Sequence, residues 1–101
     1  DASAIDPLAR MLATSETFGQ LTKFVMGAAN ELCSDRLAMV HEGGYSEVYV
    51  PFCGHRVIQE LSSSSITADD PYKFLFESRQ PNQRVQNFYS ELITELEQFF
   101  F

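Results

Sequence analysis

The stretch Leu37-Ala38-Met39-Val40-His41-Glu42-Gly43-Gly44-Tyr45 passes from an apolar run to paired glycines and then to a tyrosine. Four consecutive apolar residues between polar ones suit a short strand, and their unbroken apolar character suits a central parallel strand covered on both faces. Paired glycines are what a backbone needs where it turns sharply or passes close to another group. With the strand assigned to residues 36–41, Tyr45 is expected just beyond its C-terminal end, where open α/β sheets bind ligands.

Upstream, residues 1–14 carry Pro7, small side chains and no sustained period, so they read as a loop. Thr14 and Ser15 are candidate helix caps, and Glu16 suits a first helical turn. Phe18, Leu21, Val25, Ala28 or Ala29, and Leu32 recur at three- and four-residue steps, which predicts an amphipathic helix over 15–33 with its stripe toward a core. Downstream, Pro51 forbids a helix running through from Ser46, so a second helix is placed at 51–61, with Phe52, Val57, Ile58 and Leu61 on its inner side. Residues 62–72 form a polar connector. The segment "YKFLF", 72–76, fits either a short strand or a helical turn. Val85, Phe88, Tyr89, Leu92, Ile93, Leu96, Phe99 and Phe100 follow helical spacing over 82–100, with Asn82 as cap, and the phenylalanines at 99–101 are expected to pack on something. A lone central strand leaves its N–H and C=O groups unpaired, so it must find its neighbours in a longer protein or in a second copy.

Fourteen acidic against seven basic side chains give a formal charge of −7. Phosphate-backbone binding needs clustered Lys and Arg, so direct nucleic-acid contact is not expected. No stretch approaches the roughly 18 apolar residues of a membrane span, and no membrane partner is expected. Cys33 and Cys53 are too far apart for a CxxC pair; reduced thiols and a cytoplasmic location fit best.

The residues at 36–61, "RLAMVHEGGYSEVYVPFCGHRVIQEL", resemble the last conserved block of the histone deacetylase and acetylpolyamine amidohydrolase superfamily, in particular its bacterial class II-like members. In that block a strand ends in an acidic residue, two glycines and a tyrosine. The opening "DASAIDPLARM" resembles a second block, in which an aspartate ligates the catalytic zinc and a Pro-Leu pair lines the acyl-lysine channel. Together these blocks span residues 1–61, while the rest matches the family's C-terminal helical region only loosely. The resemblance implies an α/β fold, of which this chain is the C-terminal fragment of an open parallel sheet, mostly helical with one strand. It implies Tyr45 as the catalytic residue, its hydroxyl donating to the oxyanion of the tetrahedral intermediate. It further implies Asp1 as a zinc ligand, Leu8 as channel wall, and Gly43 and Gly44 as the backbone that brings the phenol to substrate. Acetyl-lysine or an acetylated polyamine is the implied substrate, and zinc the implied cofactor of the complete enzyme.

The departures are as informative. The family's Asp-x-His ligand pair and its paired histidines lie upstream of this block. His41 and His55 stand in neither position, and Ala9 replaces the glycine usual after Pro-Leu. One aspartate cannot hold a catalytic zinc, which takes three protein ligands, so no metal and no turnover are expected of these 101 residues alone. Cys53-Gly54-His55 is better read as an inert buried thiol beside a hydrogen-bonded histidine. The competing reading is a freestanding, non-catalytic structural or binding module that folds as a homodimer through its orphan strand and last helix.

Overall fold

The computed structural model describes residues 1–9 and 11–100. Four helices carry the chain: α1 (Ser15–Cys33), α2 (Val50–Leu61), the single turn and a half of α3 (Lys73–Glu77), and α4 (Gln83–Phe100). Each boundary has a local cause. Thr14 caps α1 by a reciprocal box: its hydroxyl accepts from the Thr17 N–H at 3.3 Å while the Thr17 hydroxyl accepts from the Thr14 N–H at 3.1 Å. The helix stops where Ser34 and Asp35 adopt left-handed backbone, φ 52° and 61°. Pro51 sits in the first turn of α2, where its missing N–H costs nothing. The Asn82 side chain accepts from the Val85 N–H at 3.2 Å ahead of α4.

Helices α1 and α2 pack on each other. Gly19 makes the approach close: a Cβ built there would lie 2.8 Å from Cγ of Arg56. Arg56 pairs with Glu16 across the junction at 3.2 Å and with Glu60 one turn on at 2.6 Å, and Glu60 also meets Lys23 at 3.4 Å. At the other end of α2 lies a compact aromatic core. Tyr49, Cys53 and Phe76 are buried, with Ala4, Ile5, Phe18, Phe52 and Tyr72 packed around them. The rings of Tyr49 and Phe76 meet edge-on with centroids 4.7 Å apart. The Tyr49 hydroxyl accepts from the Ser15 N–H at 2.9 Å and donates to Asp70 Oδ2 at 2.8 Å, while the Ser15 hydroxyl donates to the same oxygen at 2.6 Å. One phenol thus joins the start of α1, the start of α2 and the 62–72 connector.

Three expectations are corrected. Residues 36–41 form no strand, and among the described residues the chain has no sheet, only a parallel bridge between Ser3 and Ala13. Far from being covered on both faces, Val40 is 81% exposed. A strand exists only through its ladder, and among the described residues no neighbouring segment offers one. The stripe of α1 does not meet a closed core: Leu21, Val25 and Leu32 are exposed, and the buried residues of α1 are Gly19, Thr22 and Ala29. Finally, α4 buries none of its residues, and Phe99 is 82% exposed. Phe101 lies outside the described residues. Segment 72–76 is helical: Tyr72 caps α3 and residues 73–76 make up most of it.

Candidate functional site

A glycine turn at residues 43–44 immediately precedes Tyr45. Gly43 and Gly44 have φ of +65° and +83°, a region that only glycine enters without penalty. At Gly44 a Cβ would lie 2.9 Å from Nε2 of His41 and 3.0 Å from Cγ2 of Val50. At Gly43 it would lie 3.4 Å from Oδ2 of Asp1. The turn therefore passes beside the Asp1 carboxylate at Gly43, two residues before Tyr45.

After the turn the Tyr45 ring stands out at the surface, 57% exposed, and Leu8 is exposed as well. Their backbones are tied to one group. Asp6, buried at 5% exposure, accepts from the Tyr45 N–H through Oδ2 at 2.7 Å and from the Leu8 N–H through Oδ1 at 2.9 Å, with a longer bond from the Ala9 N–H at 3.4 Å. Burial alone would raise the Asp6 pKa, but the hydrogen bonds from Tyr45, Leu8 and Ala9 outweigh it and hold the carboxyl below its ordinary value. Asp6 is thus a carboxylate in service, and sequence reasoning passed over it. The available signal was Asp6-Pro7, a pair that favours turn initiation through the aspartate's own side chain.

Behind the turn lies an open, largely apolar groove of about 560 Å³. Asp1, Met39, Val40, His41 and Gly44 line it together with Leu21 and Val25 of α1 and Val50, Val57, Ile58 and Leu61 of α2. The apolar stripes of both helices face this groove. Ser3, which also lines it, has a buried hydroxyl with no hydrogen-bond partner.

Among the described residues no three His, Cys, Asp or Glu side chains converge closely enough to hold an ion. Asp1 offers one carboxylate, short of the three protein ligands of a catalytic zinc. Cys53 is no substitute, since burial, then the Asp70 charge, push its thiol up to about 11, leaving it protonated. Among the described residues no helix is long and apolar enough to cross a membrane.

Residues 1–61, which contain Asp1, Asp6, Leu8 and the whole glycine turn, match the histone deacetylase domain. The chain belongs to the histone deacetylase domain family. A histone deacetylase-like amidohydrolase of Pseudomonas aeruginosa is 47% identical over 96 residues, covering 95% of this chain and 25% of that protein. Histone deacetylase 8 of Arabidopsis thaliana is 36% identical over 59 residues, 58% of this chain and 16% of the plant protein. The chain therefore spans a quarter or less of the length of these relatives. Membership in the histone deacetylase family agrees with an α/β fold; the described residues contribute helices and loops to it.

Proposed function

We propose that this chain is the C-terminal part of a histone-deacetylase-like amidohydrolase that removes acetyl groups from acetyl-lysine or acetylated polyamines, with Tyr45 as its oxyanion donor. In the reaction, water adds to the amide carbonyl carbon, the C–N bond breaks, and acetate and amine leave. The carbonyl oxygen becomes negative in between. A phenol held in advance at that oxygen donates its hydrogen bond most strongly when the charge has formed, a contribution of about 3 kcal/mol. The observation that carries this reading is the exposed Tyr45 ring on a turn that only glycines allow, passing beside the Asp1 carboxylate at Gly43. Leu8 would line the entry for the acyl-lysine chain, Gly43 and Gly44 would let the backbone come close to substrate, and zinc would be the cofactor of the complete enzyme. Asp1 would give one ligand and segments outside this chain the rest. By itself the chain is proposed to be inactive.

The test is made in the complete protein. Tyr45→Phe is expected to lower kcat on an acetyl-lysine peptide by roughly 100- to 1,000-fold with KM little changed, as removal of one oxyanion donor does elsewhere. Unchanged turnover in that variant would remove the chemical basis of the assignment.

The bare apolar face of α4 favours a second reading of this chain in isolation, a non-catalytic homodimer. Turnover by the isolated chain, lost in Tyr45→Phe and on chelation, would overturn both its expected inactivity and the non-catalytic reading.

A further inference from the structure

We propose that Asp6 is a positioning residue of this enzyme, its carboxylate clamping the backbones of Leu8 and Tyr45 so that the entry wall and the oxyanion donor are held in fixed register. The proposal rests on the deacetylase reading of Tyr45 given above and adds to it the group that aims the phenol.

The two oxygens of Asp6 divide the work. Oδ1 takes the Leu8 and Ala9 N–H groups, two and three residues on, which is the ordinary turn an aspartate makes with its own loop. Oδ2 is spent on the N–H of Tyr45, 39 residues away and outside that loop, at the shortest distance of the three, 2.7 Å. Nothing about turn formation at residues 6–9 calls for the second bond. Its effect is on the glycine turn, whose two residues at positive φ give the backbone freedom that must be removed if the phenol is to point one way. With the Tyr45 N–H anchored, the direction of its Cα–Cβ bond follows, and only two side-chain torsions remain to aim the hydroxyl. The carboxylate is buried and its acid form disfavoured, so the clamp is a standing ionic acceptor rather than an occasional contact.

Asparagine at position 6 has nearly the same shape but only one accepting oxygen, so one side of the clamp would face N–H to N–H. In the complete protein, Asp6→Asn is expected to lower kcat on an acetyl-lysine peptide on the order of a hundredfold, the loss that a misplacement of about 1 Å brings. In a Tyr45→Phe background the same change is expected to cost no more than about twofold, because there is no hydroxyl left to misaim. A residue that merely supported folding would lower activity by the same factor in both backgrounds. Replacing Tyr45 by its α-hydroxy acid analogue, which keeps the phenol and exchanges the N–H for an ester oxygen, removes the one bond at issue and leaves Asp6 in place. It is expected to reproduce the kcat loss of Asp6→Asn, and this arm stands even if Asp6→Asn does not fold. A folded Asp6→Asn or an ester variant with wild-type kcat, or equal losses in both backgrounds, would overturn the clamp while leaving the Tyr45 reading intact. A fully active Tyr45→Phe would overturn both.

Discussion

At the scale of single residues the two glycines differ in what they exclude, and that difference is measurable. Both have positive φ, so alanine at either costs about 1–2 kcal/mol in backbone strain. At Gly43 the added carbon would touch only the edge of the Asp1 carboxylate at 3.4 Å, whereas at Gly44 it would press on both His41 and Val50 at 3.0 Å or less. Gly44→Ala is therefore expected to lower the thermal midpoint more than Gly43→Ala; equal midpoints would show that the His41 and Val50 contacts give way freely. Tyr49 makes a second prediction at this scale. Burial first, and then the Asp70 carboxylate that accepts its hydrogen bond, push the Tyr49 phenol up to about 12. A folded-state value above the unfolded one means that the neutral phenol stabilises the fold fully below about pH 10 and that this stability disappears as pH rises toward 12. Alkaline unfolding between those limits, followed by phenolate absorbance and helical circular dichroism together, is the expected outcome. In Tyr49→Phe the loss over that window should shrink, from a stability already about 1–3 kcal/mol lower because the Ser15 N–H has lost its acceptor.

Between elements, the α1/α2 junction depends on the absence of a side chain at Gly19. Arg56 fills the space a Cβ would occupy, and it is held there by Glu16 and Glu60 on either side. Gly19→Ala gains helix propensity of up to about 1 kcal/mol, yet must displace the guanidinium from its pairs. Overpacking of this kind costs about 1–3 kcal/mol, so the net change is expected to be destabilising in denaturant titration. In an Arg56→Ala background the sign should reverse, since only the propensity gain would remain. The same scale explains why the helices were legible in sequence. The Thr14 box and the recurrence of Phe18, Leu21 and Val25 act within a few residues of each other, so their consequences need no tertiary partner.

At the scale of the whole molecule, the chain carries more apolar surface than it covers. Apolar residues of α1 and α2 line an open groove together with Met39 and Val40, Ser3 there keeps an unpaired buried hydroxyl, and α4 is bare. This is the geometry expected of a helical layer whose sheet lies elsewhere, and the chain spans only a quarter of its Pseudomonas relative. Expressed by itself, the 101-residue chain is expected to exceed monomer mass in light scattering and to bind an apolar dye. A stable monomer without dye binding would show that these surfaces are tolerated in water.

Sequence alone determined what is local: the helix-forming periodicities, the caps, the two glycines that only a turn with positive φ requires, and the tyrosine placed immediately after them. Residue pattern and family resemblance also brought Asp1, Leu8 and Tyr45 into one candidate site. Only the tertiary structure decided the rest. Asp6 reaches Tyr45 across 39 residues, and Tyr49 joins Ser15 to Asp70 across still more chain. No periodicity encodes such contacts, because they arise from where separate segments come to lie. The apolar run at 37–40 marks the boundary between the two kinds of information: its composition specifies a segment that belongs in a sheet, but a ladder of hydrogen bonds requires a neighbour, and composition cannot supply one.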